Sequence, residues 1–158
     1  VAMTNLEAFA YSGLLSFVST TLSARERPEA TGCLAAGGGE RCTLESRTES
    51  FFSGHTTISA TSAGLVCAHH ARVPLWGGGA ADAAACGLAG FMTVVTGASR
   101  VLADRHYASD VLAGGAVGFS VGYLVPTLLR YRGREGARVR VGANVPGAEL
   151  GLSVGAVF

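Results

Sequence analysis

The chain reads as an all-α protein: an up-down bundle of about four helices, closed by a short C-terminal β-hairpin. Three observations predict this. Apolar stretches of helical length cover residues 5–23, 54–71, 82–99 and 107–129. Clusters of proline, glycine and mixed charge separate them. Only after Arg130 does the pattern turn to strand-like alternation.

In the first stretch Leu6, Phe9, Leu14, Phe17 and Val18 supply the apolar positions. Residues 28–50 predict a loop, with Pro28, a glycine triplet at 37–39 and charges of both signs. The second helix opens at Gly54, and Pro74 with Gly77-Gly78-Gly79 breaks the chain after it. Asp82 suits the N-cap of the third helix. In the fourth, Pro126 bends the last turn. Residues 138–141 alternate, 144–147 offer a turn, and Leu150, Leu152, Val154, Ala156 and Phe158 alternate again. The chain therefore divides into a helical domain, 1–130, and a tail, 131–158.

At 158 residues one domain with a sizeable core is expected. The net charge of +1 and the lack of a basic helix with interleaved aromatics argue against a nucleic-acid partner. All twelve basic residues are arginine, which points to a GC-rich genome and not to a function. No charged n-region with a cleavage site opens the chain, so a signal peptide is expected to be lacking or already removed.

Chemistry concentrates in three segments. Ser99-Arg100, five residues, His106, three residues, Asp110 holds a cation, an imidazole and a carboxylate. Four residues apart on a helix, His106 and Asp110 share a face. The carboxylate can then take the proton of one ring nitrogen and leave the other free to attack. Arg100 can fold its fork over the same spot and grip phosphate oxygens. In Phe52-Ser53-Gly54-His55, Ser53 suits an N-cap, and Gly54 lets an anion approach the free amides of a helix N-terminus. His55 in the first turn could donate a proton to a leaving oxygen. Arg25-Glu26-Arg27-Pro28 adds guanidinium charge where the first helix ends.

Arg-Pro, then Ser-Gly-His, then Ser-Arg-x5-His-x3-Asp, in that order, resembles the type 2 phosphatidic acid phosphatase superfamily. That superfamily includes bacterial acid phosphatases and vanadium-dependent haloperoxidases. The likeness runs from Arg27 to Asp110, and through the helices to Leu129. It implies a phosphatase without metal or other cofactor that works through a phosphohistidine. His106 would be the nucleophile, Asp110 its orienting partner and His55 the general acid. Arg27, Ser53, Gly54 and Arg100 would hold the phosphoryl oxygens. The implied substrate is a phosphorylated lipid, a lipid pyrophosphate or a small phosphomonoester. The resemblance also implies further helices upstream of the first motif.

Two departures stand out. The family's lysine seven residues before the Arg of Arg-Pro is Thr20 here, and the chain has no lysine at all. Arg25 is the candidate to replace its charge. Phe52 stands where proline commonly precedes Ser-Gly-His. Two rival readings follow: a catalytically impaired phosphate- or lipid-binding member of the fold, and a vanadium-dependent haloperoxidase.

Topology supports convergence. In an up-down bundle with short connections, Arg27, Ser53, Arg100 and His106 fall at one end. The uncharged run 111–129 is long enough to cross a bilayer. With the Arg-rich stretch 130–140 at the far end, the positive-inside rule places the site in the periplasm of a bacterial cell envelope. Cysteines favour a second arrangement, soluble and periplasmic. Cys33 and Cys42 could pair across the loop, and Cys67 and Cys86 across the turn between helices two and three. The alternative for each pair is a buried thiol. His69-His70 reads as packing or capping and not as a metal site, because adjacent histidines diverge on a helix. Asp104 and Arg105 read as a solvated rim, and Trp76 and Tyr107 as packing aromatics.

Overall fold

The computed structural model describes residues 2–35 and 48–132, and every regular element among them is helical. The helices are α1 (Ala2–Ser23), α2 (Pro28–Ala35), α3 (Gly54–Arg72), α4 (Ala80–Leu102) and α5 (Ala108–Pro126), the last running into a π-helical turn, Thr127–Tyr131. The expected β-hairpin lies outside the described residues, as does Cys42 and hence the Cys33–Cys42 pair.

Helix α2 corrects the loop expected over 28–50. Pro28 is its first residue, where a fixed φ and a missing N–H suit a helix start, and Glu29 adds an acid in the first turn. Asp82 is likewise not an N-cap. Gly79 is, with φ +66°, and Asp82 lies within the first turn of α4. Its carboxylate turns back instead to accept the amides of Trp76 and Gly78. After Pro126 the α-helix gives way to the π turn, in keeping with a proline that cannot donate to the preceding turn.

Helix α3 is central, packed most extensively on α5, with α4 and α1 beside it. The α3–α5 seam is made by glycine. Gly114, Gly118 and Gly122 recur every fourth residue on α5 and are all buried. A Cβ at Gly118 or Gly122 would overlap the backbone carbonyl of Thr57 or Thr61 on α3, and one at Gly114 would come within 2.8 Å of the Ser53 carbonyl. Gly64 on α3 answers in kind, facing the α5 backbone. Small residues at this period let two helix backbones touch.

The radial order of polarity is inverted. Ser12, Thr57, Thr61 and Ala68 are fully buried, and Ser12 bonds Thr61 across 2.7 Å. Leu6, Leu14 and Phe17 on α1, Phe91 and Val94 on α4, and Leu112 and Leu129 at the α5 side all face outward. Helix α4 and the α5–π unit are long and apolar enough to cross a membrane, and little of either is buried in the protein.

The end opposite the α1–α2 junction is pinned by polar contacts. His69 takes Asn5 Oδ1 and the Tyr131 hydroxyl, each at 2.8 Å, joining α1, α3 and the π turn. A Cys67–Cys86 disulfide joins α3 to α4, and His70 pairs directly with Asp82. Adjacent histidines thus pack that end, as their sequence suggests.

Candidate functional site

The other end gathers the connections α1–α2, the residues before α3 and the α4–α5 turn. Backbone bonds tie them: Ser50 N to Arg25 O (3.0 Å), Ser53 N to Asp110 O (3.1 Å) and Glu29 N to Asp104 O (3.1 Å). Arg105 adds a 2.8 Å ion pair to Glu29. The rim residues Asp104 and Arg105 therefore fasten the α4–α5 turn to α2.

His106 is buried in that turn, two residues ahead of α5, so it does not stack on a helix face with Asp110. No hydrogen bond joins the two side chains, which corrects the direct pairing expected from their spacing. Instead His106 Nδ1 lies 2.7 Å from the carbonyl of Ser50. A carbonyl only accepts, so Nδ1 carries the proton, and in the neutral ring the lone pair is on Nε2. Burial pushes the His106 pKa below its ordinary 6.5, and Arg27 and Arg100 act the same way, against the Ser50 carbonyl and Asp110. The neutral, nucleophilic form is favoured.

Asp110 is fully buried in the first turn of α5. It accepts from Arg25 Nη1 at 2.6 Å, Ser50 Oγ at 2.5 Å and the Tyr107 amide at 3.0 Å. Arg25 also donates to Ser109 Oγ (3.0 Å) and lies 4.3 Å over the Tyr107 ring. Its guanidinium is thus committed to Asp110 and Tyr107. Thr20, in the lysine position, spends its hydroxyl on Ser16 O and Phe17 O of its own helix.

Arg27 Nε and Arg100 Nε at this end, and Arg130 Nε in the π turn at the other, are buried without a hydrogen-bond partner. Among the described residues Arg27 has long ion pairs, 3.5 Å to Glu49 and 4.0 Å to Glu29. Unsatisfied buried guanidinium donors are costly without an acceptor, and a phosphoryl group would supply one. Ser53 is the fully buried N-cap of α3, its Oγ accepting from Thr56 Oγ1 at 3.0 Å. Gly54 and His55 follow in the first turn, with His55 exposed. The free amides of this turn add a positive dipole end.

Sequence reasoning missed Ser50, which touches both His106 and Asp110. It missed the glycine seam as well, although Gly at every fourth residue was visible as a helix-contact pattern.

A family model described as the PAP2 superfamily matches residues 2–134. No curated protein and no solved structure matches the chain. A match over most of its length, on this bundle and this buried histidine, makes the chain a member of the PAP2 superfamily.

Proposed function

We propose that this protein is a membrane-associated phosphatase that cleaves phosphate esters through a phosphohistidine at His106. Family membership supports a phosphatase-type hydrolase in general. The observation that carries the finer reading is the Nδ1–H of His106 held on the Ser50 carbonyl, which leaves Nε2 as the free lone pair.

In the first step Nε2 attacks phosphorus in line, and the bond from phosphorus to the leaving oxygen breaks. Arg27, Arg100, Ser53 and the Gly54 amide hold the equatorial oxygens, where charge must be stabilised. His55, protonated, gives its proton to the departing alkoxide. His55 then takes a proton from water, the hydroxide attacks the phosphohistidine, and the P–N bond breaks to release phosphate and neutral His106. Exposure of His55 at the helix mouth suits a group that exchanges protons with water and product.

Outward Leu, Phe and Val over a core of Ser, Thr, Ala and Gly supports residence in a bilayer, because lipid replaces water as the solvent of that surface. With the site at one end of the bundle, the substrate phosphate would be met at the membrane surface. The orientation toward the periplasm rests on the arginine-rich stretch after residue 129.

Turnover of p-nitrophenyl phosphate in detergent, with His106→Ala as control, tests the reading. Equal activity in the two proteins would sink it. A second reading, a phosphate-binding member with weakened catalysis, is favoured by Thr20, whose hydroxyl is taken up by its own helix. Thr20→Lys separates the two: a large gain in kcat means the natural site is impaired, and an unchanged kcat means it is complete.

A further inference from the structure

We infer that Ser50 is a positioning residue through which Asp110 fixes the imidazole of His106. The inference rests on the phosphatase reading for its kinetics, though not for its geometry. Three polar atoms of Ser50 face three different parts of the site. Its amide donates to Arg25 O at 3.0 Å. Its hydroxyl donates to Asp110 Oδ2 at 2.5 Å. Its carbonyl accepts from His106 Nδ1 at 2.7 Å.

Asp110 has no bond to His106, yet it is fully buried and held by Arg25 and the Tyr107 amide. Its carboxylate is linked to His106 by two hydrogen-bonded routes, through the Tyr107 amide to the backbone that follows the histidine and through Ser50 to the ring itself, and only the second meets the imidazole. Residue 50 precedes α3 in a segment without helical bonds, so its carbonyl direction depends on these side contacts. The chain Arg25, Asp110, Ser50, His106 is therefore continuous and fully hydrogen-bonded. A buried network of this kind fixes one arrangement of its members. It selects the Nδ1–H tautomer and aims Nε2, the task a carboxylate performs by direct contact in other nucleophilic sites.

The test compares Ser50→Ala, Ser50→Thr, Asp110→Asn and the double variant Ser50→Ala/Asp110→Asn on p-nitrophenyl phosphate in detergent. Ser50→Ala keeps the backbone donor and acceptor and removes only the hydroxyl. It is expected to lower kcat by about 10–100-fold, because small misplacements of a nucleophile cost that much. KM should stay within about twofold, since the phosphate ligands are untouched. Ser50→Thr should recover most of kcat. The double variant should fall little below the worse single, as residues on one chain are non-additive.

A wild-type kcat in Ser50→Ala, a loss confined to KM, or losses that multiply in the double variant would each overturn the inference. Should Ser50→Ala not fold, Ser50→Cys keeps the volume with a weaker donor and is read against the same outcomes. Nitrogen NMR of labelled histidine reads the geometry without activity. Wild type should show His106 with its proton on Nδ1 alone, and Ser50→Ala a mixture of tautomers. If wild type proves inactive while the tautomer responds to Ser50, the phosphatase reading fails and the relay stands. If His106→Ala is dead and the tautomer ignores Ser50, the relay fails alone.

Discussion

Each end of this bundle sets a histidine and a buried aspartate in one polar network, yet only one end joins the two directly. At the far end His70 bonds Asp82 directly, and Asp82 also accepts the Trp76 and Gly78 amides. That carboxylate is fully used, the Trp76 ring packs edge-on against His70, and the Cys67–Cys86 disulfide closes the helices nearby. A cavity of about 540 Å³ opens there, with His70, Asp82, Phe119 and Tyr123 and no arginine among its described lining residues, although Arg130 in the π turn at this end also keeps a buried Nε without a partner. At the near end His106 rests on a carbonyl, two arginines keep unpartnered donors, and a helix N-terminus faces the same mouth. A His–Asp contact by itself makes a clamp. A histidine held off its aspartate, beside free cationic donors, fits the nucleophile and phosphate site proposed above.

The sharpest break of this comparison is in activity. His106→Ala should lower kcat by about 10³-fold or more, in line with loss of a nucleophile, while His70→Ala should leave kcat within about twofold. Comparable losses from both would erase the distinction between the two ends. Next comes the glycine seam that sets α3 against α5 and so brings Ser53 to Asp110. Gly118→Ala should destabilise the detergent-solubilised protein by about 1–3 kcal/mol, the cost of overpacking. Gly13→Ala, whose Cβ meets nothing within 4 Å, should be neutral or stabilising by up to about 1 kcal/mol. Thermal unfolding of the pair measures both.

Asp82→Ala should lower the midpoint of thermal unfolding by stranding two loop amides and His70, and it should not change kcat. The smallest effect is on pH. Because burial disfavours the imidazolium of His106, less acid-induced loss is expected than for an ordinary histidine. The acid limb of kcat/KM should therefore have its midpoint below 6.5, and an acid limb above that value would contradict the environment described for His106.

The helices were legible because their apolar stretches are long and end at strong breakers such as Pro74 and the glycine triplet before Ala80. The gathering of Arg27, Ser53, Arg100 and His106 at one end followed from topology alone. What spacing could not show is who touches whom. His106 and Asp110 suited one helix face, but the chain holds His106 in a turn ahead of the N-cap Tyr107, and Ser50 enters from a segment with no periodic signal. Arg25 looked free to replace a lysine charge, although a buried carboxylate 85 residues away claims it. Asp82 and His70, twelve residues apart across a turn, gave no hint of contact. Long-range polar pairs depend on the fold being assembled, and local pattern does not carry them.

In the proposed mechanism Nε2 of His106 becomes covalently phosphorylated during turnover. Rapid quenching of the wild-type protein with a radiolabelled phosphate ester, followed by digestion, tests it directly. Acid-labile, base-stable label is expected on the peptide that contains His106, appearing and decaying at rates compatible with kcat, with no label in His106→Ala. Full turnover with label on another residue, or with no labelled protein while His106→Ala stays active, would contradict it.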